Sequence, residues 1–282
     1  SSGHKKNEVE NLLGTCVLNN WKFVHKPFQP EYPGNREWNK GAPQFRFIPE
    51  RGKHPTWDLV FEHCGKGLQS ALSNNKWAKD NGIVNGLLYL QAWCASCFQS
   101  PGDPLPYIFF TGGQNAGKSI FHEILSILLI GGYVRSDNAL TNPSGFNGEL
   151  ANAILCVVEE TNLSKRGWAT DRIKDWVTGR TINIHTKGKT PYDIPNTTHW
   201  IQCANSMDYC PVFPGDTRIV FIKVNTPTED IPKSILMESC EKEAAAFLYT
   251  LLNFELPVVQ GRLRIPVVET QEKMDQMEFN RN

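Results

Sequence analysis

The sequence predicts an α/β fold with a buried, mostly parallel sheet at its core. Short apolar runs at residues 107–110, 154–158, 200–203 and 219–222 alternate with helical or turn-rich stretches, which is typical of strands joined by crossover helices. The runs are apolar throughout rather than at every second residue, as expected for strands covered on both faces. With 282 residues the chain is long enough to bury such a core.

A helical subdomain is predicted to precede this core. Residues 57–79 and 83–98 carry apolar side chains at helical spacing, and the Pro-Gly and Asp-Pro pairs within residues 100–104 end the second helix. Upstream, residues 21–61 are rich in proline and aromatic residues without regular periodicity. We therefore expect residues 1–100 to comprise an irregular arm, packed against the helical layer, and a small helical subdomain.

The main domain is predicted to cover residues 101–255, followed by a tail over residues 256–282. Residues 231–253 form an amphipathic stretch, with three consecutive alanines beginning at Ala244, that predicts the last helix of the domain. The tail is charged beyond Pro266, and we expect it to be mobile.

Composition excludes several classes of protein. Apolar residues make up 40% of the chain, which rules out disorder over most of its length. Lys and Arg balance Asp and Glu at 29 each, so any nucleic-acid affinity must come from a local patch. The longest apolar stretches fall short of the roughly 20 residues that cross a bilayer. The chain is therefore expected to be soluble. The eight cysteines are spread over a chain too large to need disulfides, which favours the reducing environment of the cytoplasm.

The strongest motif is a glycine-rich loop between the first apolar run and a predicted helix. It matches G-x-x-x-x-G-K-[ST] and consists of Gly112, Gly113, Gln114, Asn115, Ala116, Gly117, Lys118 and Ser119. Glycines let the backbone turn its N–H groups toward phosphate oxygens, and the following helix adds a favourable dipole. In such a loop Lys118 neutralises the β- and γ-phosphates of ATP, and Ser119 binds Mg²⁺. The alternative, a glycine-rich turn of no function, is disfavoured by the flanking strand and helix.

Two carboxylates follow the second apolar run. Glu159 and Glu160 lie at the carboxyl end of a predicted strand, where open α/β sheets bind their ligands. We assign Glu159 to Mg²⁺ and Glu160 to activation or positioning of a water molecule, because the last residue of the run points furthest into the cleft. The alternative is a solvated strand end without a catalytic role.

A basic segment comes next. Residues 164–190 carry seven Lys or Arg and two Asp, a net charge of +5 in a neutral chain. Residues 181–192 alternate and then turn at Lys-Gly-Lys, which predicts a hairpin with a cationic tip. His185, Lys187 and Lys189 are the candidate DNA contacts, since such a tip suits phosphate binding without base recognition. The alternative is that these lysines only keep the hairpin tip soluble and prevent it from pairing with another strand. Taken alone, the pattern fits both explanations equally well.

Two isolated polar residues flank the later strands. Asn205 follows residues 199–204, and its amide can orient the attacking water or contact the γ-phosphate. Arg218 precedes the last apolar run and can reach the nucleotide of a neighbouring subunit, where an arginine supplied in trans stabilises developing charge. Taken singly, such residues are more often a turn amide and a surface ion pair. Cys94 and Cys97 have the spacing of a zinc half-site, but no second half-site lies at a suitable distance in the sequence.

Taken in order, these motifs resemble the superfamily 3 helicases of viruses and phages, and more specifically the helicase part of primase-helicases of the D5 or phage P4 type. The resemblance covers roughly residues 50–255. It implies an AAA+ type α/β ATPase, extending over residues 101–255, that assembles into hexameric rings around nucleic acid. Within it Lys118 and Ser119 belong to the Walker A motif, Glu159 and Glu160 to the Walker B motif, and Asn205 is the sensor.

The same resemblance implies that Lys187 and Lys189 lie on the hairpin that projects into the ring channel, and that Arg218 is the arginine finger. The chain departs from the pattern of this family at two places, one that bears on the subfamily and one that bears on the arginine finger. D5-type loops usually have Asn directly before Gly-Lys-Ser, where this chain has Ala116 preceded by Asn115. An arginine pair is frequent near the finger, whereas Arg218 stands alone.

The expected function is that of an ATP-dependent ring helicase or translocase on single-stranded DNA in phage or viral DNA replication. Because such motors are often fused behind a primase or polymerase, and because residues 1–4 look like a cloning scar, we expect the carboxyl-terminal part of a phage primase-polymerase. One alternative is a nucleotide-binding scaffold that assembles and positions an attached primase. Another is a small-molecule kinase or monomeric P-loop enzyme, which requires an acceptor pocket and no ring.

Overall fold

A computed structural model describes residues 21–229 and 231–280 of the chain, so residues 1–4 and Cys16 lie outside the described part. The helices are α1 (Pro55–Gly65), α2 (Gln69–Ser73), α3 (Lys76–Asp80), α4 (Gly86–Gln99), α5 (Ile120–Ile127), α6 (Asp137–Thr141), α7 (Gly167–Thr178), α8 (Lys233–Leu252) and α9 (Gln271–Phe279). The strands are β1 (Lys22–Phe23), β2 (Glu37–Trp38), β3 (Gln44–Phe45), β4 (Tyr107–Thr111), β5 (Leu129–Ile130), β6 (Tyr133–Arg135), β7 (Leu155–Glu159), β8 (Thr181–Ile184), β9 (Tyr192–Pro195), β10 (His199–Ala204) and β11 (Ile219–Lys223). Within these described ranges, every helix is too short or too polar to span a bilayer.

Five strands form one parallel sheet in the order β11-β4-β10-β7-β6. The four apolar runs of the sequence correspond to β4, β7, β10 and β11, and every residue of β4 and β10 is buried. Strand β6 adds an edge that the sequence pattern did not signal. The predicted α/β fold with a mostly parallel sheet and preceding helices is therefore confirmed.

The two faces of the sheet belong to different cores. In β4, Ile108 and Phe110 pack into one core together with α1, α4, α5 and α8, whereas Tyr107 and Phe109 pack into the other with α6 and α7. This alternation follows from the two-residue period of a strand. Each large apolar side chain so buried contributes about 1.5–3 kcal/mol to stability. The sheet is thus held rigidly between two helical layers.

The aromatic arm divides into a packed part and an exposed part. Phe28 stacks on Phe45 with ring centroids 4.0 Å apart, and both rings meet the edge of Phe98 in α4. This inner part packs against the helical layer as expected. Farther out, Trp21 and Phe23 are 57% and 75% exposed, so the expectation that the arm packs against the helices holds only for its inner part.

The predicted hairpin is confirmed by the antiparallel pairing of β8 with β9. Ile184 pairs with Tyr192 at its outer end, and residues 185–191 connect the strands. Asn147 fastens the beginning of this connection: its Oδ1 accepts the His185 N–H at 2.7 Å, and its own backbone N–H donates to the His185 carbonyl at 3.0 Å. The hairpin therefore begins from a fixed backbone anchor.

The charged segment beyond Pro266 is not mobile, contrary to the prediction. It forms α9, which packs against β11. Lys273 in this helix is wholly buried and donates to the backbone carbonyl of Asp216 at 2.7 Å and to the carboxylate of Glu269 at 3.1 Å. Charge alone suggested a solvated tail, but a buried ammonium is tolerated when oxygen atoms surround it. The amphipathic stretch before the tail forms α8, as predicted.

Helices α1 and α4 contact each other through two glycines. A Cβ atom built on Gly86 would lie 1.8 Å from the carbonyl oxygen of Gly65, and one built on Gly65 would lie 2.4 Å from the carbonyl carbon of Gly86. These distances are far shorter than a van der Waals contact. The two helix backbones can therefore approach this closely only because neither residue has a side chain.

We predict that Gly86→Ala lowers the free energy of unfolding by about 3 kcal/mol, because the added methyl group must push two helices apart in a packed core. Gly102→Ala is the control, since a Cβ atom there meets nothing within 4 Å. Denaturant unfolding of both variants measures the effect. Equal transition midpoints for the two variants would contradict the close packing described for α1 and α4.

Candidate functional site

The predicted site residues gather at the carboxyl edge of the sheet. Cys203 in β10 is aligned with Glu159 in β7, and Ala204 is aligned with Thr111 in β4. The glycine-rich loop, Glu160 and Asn205 are the residues that follow these three strand ends. Parallel pairing therefore brings together groups that are far apart in the sequence.

The glycine-rich loop adopts backbone angles that favour glycine. Gly112 has a φ of 156°, and a Cβ atom there would lie 2.1 Å from the carbonyl oxygen of Val224. Gly117 has a φ of 85°, and Asn115 takes the left-handed conformation at 61°. Helix α5 begins immediately afterwards at Ile120, so its free N–H groups face the space enclosed by the loop.

Lys118 is buried, with 6% of its surface exposed. Its ammonium donates to the carbonyl oxygens of Gly112 at 3.0 Å and Gly113 at 2.8 Å, and to the Asn205 Oδ1 atom at 2.9 Å. Three oxygen acceptors thus compensate for the desolvation of the charge. The contact with Asn205 links the glycine-rich loop directly to the end of β10.

Glu160 occupies an unusual backbone position. Its φ of 47° lies in the left-handed region, and its N–H donates to the Cys203 carbonyl at 2.9 Å. Its carboxylate accepts the Asn205 N–H at 3.3 Å. The strand ends at Glu159, and the turn at Glu160 directs this exposed carboxylate over the cavity that Lys118 also lines.

Glu159 ends β7, two strands away from β4, and contacts Ser119 of the glycine-rich loop. Burial alone would raise the pKa of its carboxyl group, but hydrogen bonds from Ser119 and His122 and the nearby Arg135 charge outweigh burial and hold the pKa below its usual range. The His122 Nε2 atom lies 2.9 Å from Oε1, and the Arg135 guanidinium lies 3.8 Å from Oε2. Ser119 does not use its hydroxyl to cap α5. Two hard oxygen donors, a hydroxyl and a carboxylate, are therefore adjacent.

Lys118, Ser119, Glu160 and Asn205 line a cavity of about 840 Å³, together with residues 114–117 of the loop. Glu159 does not line this cavity but contacts Ser119, which does. Apolar side chains also contribute to the lining: Leu59 and Val60 from α1, and Ile231 and Leu236 from the α8 region. The cavity therefore has both polar and apolar lining.

Two contacts fix the shape of this cavity. His63 in α1 lies with its Nε2 atom 2.8 Å from the Ala116 carbonyl of the loop. At the mouth, the Lys233 ammonium of α8 lies 2.6 Å from the Glu123 carboxylate of α5. Both α1 and α8 are thus tied to the glycine-rich loop or to the helix that follows it.

Arg218 lies at the opposite edge of the sheet. Its carbonyl accepts the N–H of Tyr107, the first residue of β4, whereas the glycine-rich loop follows the last residue of that strand. The Arg218 Nε atom is buried and lacks a hydrogen-bond partner among the described residues. Its guanidinium lies 4.0 Å from the Asp216 carboxylate. The structure does not bring Arg218 to the cavity of its own chain.

The candidate DNA contacts lie on the hairpin connection. Lys187 and Lys189 are exposed, and within the described part of the chain neither forms an ion pair with an acidic side chain. His185 is half-buried, and its ring meets Phe146 edge-on with centroids 4.8 Å apart. The two lysines are therefore presented to solvent, while the His185 ring contributes to the base of the connection.

The cysteines show no sign of metal binding. Seven of them lie in the described part of the chain, and all seven are buried free thiols. Burial raises the pKa values of Cys94 and Cys97 well above the usual thiol range, which keeps the thiolate ligand form unfavourable. Within residues 21–229 and 231–280, His, Cys, Asp and Glu side chains form no cluster of three or more that could hold a metal ion.

Sequence analysis missed several residues around Glu159. His122 bonds its carboxylate, and Asp137 accepts the Glu159 N–H at 3.2 Å and the Thr161 hydroxyl at 2.6 Å. The apolar wall residues of α1 and α8 were also missed. One signal was available for His122, because an imidazole stands among apolar residues on the helix that follows the loop. The others have no local sequence signal, since tertiary packing alone brings them to the site.

The fold and the loop define an α/β protein with a P-loop-like core, and comparison with known proteins agrees with this class. A family model described as a family of unknown function (DUF5906) matches residues 110–218, which is less than half of the chain. This match includes the whole glycine-rich loop, the two carboxylates and the hairpin. A search of curated proteins finds no match.

Three of the similar solved structures are apo forms of the C-terminal region of NrS-1. Two of them share 18% sequence identity with this chain at a TM-score of 0.66, with 97% of this chain covered and 64% or 65% of theirs. A third shares 17% identity at a TM-score of 0.64, with 97% and 65% covered. At these identities the similarity establishes a shared fold, and this chain spans just under two thirds of the length of the NrS-1 region.

Proposed function

We propose that this chain is the ATP-hydrolysing motor part of a ring-forming helicase or translocase that acts on single-stranded DNA. The observation that carries the proposal is the convergence of Lys118, Glu160 and Asn205 around one cavity at the carboxyl edge of a parallel sheet, with Glu159 beside Ser119 of its lining. A volume of about 840 Å³ lies within the range of small-molecule sites. The order of motifs, which resembles superfamily 3 helicases, supports the same class.

Phosphate binding begins with the loop backbone. The N–H groups of the loop and of the first turn of α5 provide donors for phosphate oxygens. Lys118 already lies among them, but its ammonium is bonded to two loop carbonyls and to Asn205. A bound triphosphate offers stronger, charged acceptors, so Lys118 exchanges its present partners for phosphate oxygens and Asn205 is released.

Mg²⁺ fits the donors that the chain offers. Ser119 and Glu159 are adjacent, and hydroxyl and carboxylate oxygens are the ligands that Mg²⁺ prefers. A set of two protein ligands is enough, because Mg²⁺ at nucleotide sites is held largely by the phosphates and by water. When bound, the ion neutralises charge on the β- and γ-phosphates.

Glu160 is the proposed general base. Its exposed carboxylate takes a proton from a water molecule as that water's oxygen forms a bond to the γ-phosphorus, and the bond from the γ-phosphorus to the bridging oxygen breaks to leave ADP. The Asn205 N–H, 3.3 Å from the Glu160 carboxylate, holds it at the cavity rim. The Asn205 side chain, once released by Lys118, is free to orient the water or the γ-phosphate.

The apolar wall suits a nucleobase. Leu59, Val60, Ile231 and Leu236 contribute apolar surface to the cavity that the glycine-rich loop also lines. Flat aromatic rings gain free energy when they are buried against such side chains. We propose that these side chains contact the nucleobase while the loop binds the phosphates.

Arg218 cannot act on the nucleotide of its own chain, because the five residues of β4 separate the two sheet edges by roughly 15 Å. An arginine that completes the site of a neighbouring subunit requires a head-to-tail assembly, which closes into a ring. The Arg218 side chain is 21% exposed, so part of its guanidinium can contact an acceptor on a neighbouring subunit. We infer a ring, with six subunits as in the helicases that the motifs resemble.

Single-stranded DNA is the proposed partner of the hairpin. Lys187 and Lys189 project from an anchored connection and form the outer part of the +5 segment. In a ring these tips line the channel and contact phosphates. By the resemblance to phage primase-helicases, the chain acts in phage or viral DNA replication beside a fused or bound primase-polymerase. The alternative function is a nucleotide-binding scaffold that assembles and positions the primase. Such a scaffold binds ATP tightly and hydrolyses it negligibly, whereas a motor hydrolyses ATP.

We predict that Glu160→Gln and Arg218→Ala each reduce ATP turnover, by about 10²–10⁴-fold for loss of the base and by about 10³-fold or more for loss of the arginine. A mixture of the two variants regains activity, because an intact Glu160 then meets an intact Arg218 at some interfaces. Steady-state ATPase assays measure this, with Arg51→Ala, an exposed arginine of the arm, as the control. A mixture as inactive as its components would contradict a site shared between subunits.

We predict that Lys187→Ala/Lys189→Ala removes most of the stimulation of ATPase activity by single-stranded DNA and leaves basal turnover unchanged. The slope of log affinity against log salt falls by about 0.7 for each lysine that contacts a phosphate. Lys76→Ala/Lys79→Ala removes two exposed lysines from α3 and serves as the charge-matched control. Equal DNA stimulation in the two double variants would exclude the hairpin as the DNA contact.

A further inference from the structure

A buried imidazole connects the helix after the glycine-rich loop to the strand that carries Glu159. His122 lies in α5, three residues after Ser119, and only 2% of its surface is exposed. Its Nδ1 atom lies 2.8 Å from the Tyr133 hydroxyl of β6, and its Nε2 atom lies 2.9 Å from Glu159 Oε1 of β7. One side chain therefore joins three elements beside the site.

The direction of these hydrogen bonds follows from their partners. A carboxylate oxygen accepts hydrogen bonds, so the Nε2 atom that faces Glu159 Oε1 carries an N–H group. A hydroxyl can donate, so in the neutral ring Nδ1 accepts the hydrogen of the Tyr133 hydroxyl. The network fixes one tautomer of the ring.

This arrangement restricts the Glu159 carboxylate. Oε1 is occupied by the His122 N–H, and Oε2 faces the Arg135 guanidinium at 3.8 Å. The imidazole itself cannot move, because it is packed inside the protein and held at both nitrogens. A carboxylate that is hydrogen-bonded in this way keeps one orientation and loses little conformational freedom when it binds an ion.

We propose that His122 is a positioning residue for the Mg²⁺–nucleotide complex, in which its Nε2–H group holds Glu159 beside Ser119 and Tyr133 sets its tautomer. This inference rests on the proposed function of the site. The alternative is that His122 only stabilises the core. In that role the histidine acts through its packing, and substitutions that retain Nδ1 or Nε2 have the same effect.

Two amide substitutions separate these roles. In His122→Gln the side-chain amide nitrogen takes the place of Nε2 and can still donate to Glu159. In His122→Asn the amide group takes the place of Nδ1, so that it reaches Tyr133 but not Glu159. Tyr133→Phe removes the hydroxyl that selects the tautomer and leaves His122 in place. His25→Asn is the control. His25 is a half-buried histidine of the arm, and its ring is hydrogen-bonded to the hydroxyl group of Thr197.

The experiment measures ADP binding to the full chain by titration calorimetry, as a function of Mg²⁺ concentration and also in EDTA. We expect His122→Asn to raise the Mg²⁺ concentration needed for half-maximal ADP binding by about 10–100-fold. His122→Gln retains most of the wild-type dependence, and Tyr133→Phe lies between them. Affinity for ADP in EDTA is the same for all variants, because the loop and Lys118 are unchanged.

Equal Mg²⁺ requirements for His122→Asn, His122→Gln and the wild type would overturn the proposal. So would an equal loss of metal-free ADP binding in both variants, which indicates damage to the core. Should His122→Asn fail to fold, an unchanged Mg²⁺ requirement in Tyr133→Phe would overturn it instead. A wild-type chain that binds no ADP with or without Mg²⁺ contradicts the proposed function itself, whereas normal wild-type binding with no effect of these variants contradicts this proposal alone.

Discussion

Parallel pairing of β4, β10 and β7 is the constraint on which the rest of the site depends. Because the three strands run in the same direction and in fixed register, they end together, and Glu160, Asn205 and the loop from Gln114 onward line the same cavity. The pairing continues past the strands, since the Glu160 N–H donates to the Cys203 carbonyl and the Val224 N–H to the Thr111 carbonyl. A one-residue slip of β10 would turn its side chains to the opposite face and carry Asn205 away from Lys118.

Neighbouring groups hold each charged group at this edge in place. The buried Lys118 ammonium donates to two carbonyl oxygens and one amide oxygen, which are weaker partners than phosphate. The Glu159 carboxylate is held by Ser119, His122 and Arg135. Under the proposed function, little further ordering of these two groups is required when a nucleotide binds. The hydrogen bond between Lys118 and Asn205 also links the loop to the end of the central strand.

The sequence predicted those features that depend on local pattern. Continuous apolar runs identified the central strands, and the spacing of Gly112, Gly117 and Lys118 identified the loop, because both signals lie within a few residues. It could not predict His122 as a partner of Glu159, since 37 residues separate them and only the packing of α5 against β7 brings them together. The tail was misjudged for a related reason: the charge of Lys273 suggests solvent, but its buried ammonium finds acceptors in the Asp216 carbonyl and the Glu269 carboxylate.

Binding of magnesium and a slowly hydrolysed ATP analogue tests the central claim most directly. Calorimetric titration should give saturable, magnesium-dependent binding at one site per chain for the wild type and for Lys79→Ala, an exposed lysine on α3. Lys118→Ala should abolish it, because the ammonium that meets the β- and γ-phosphates is missing. Equal binding by Lys118→Ala and the wild type, or no binding by a folded wild-type chain, would contradict the assignment of this edge of the sheet as a nucleotide site.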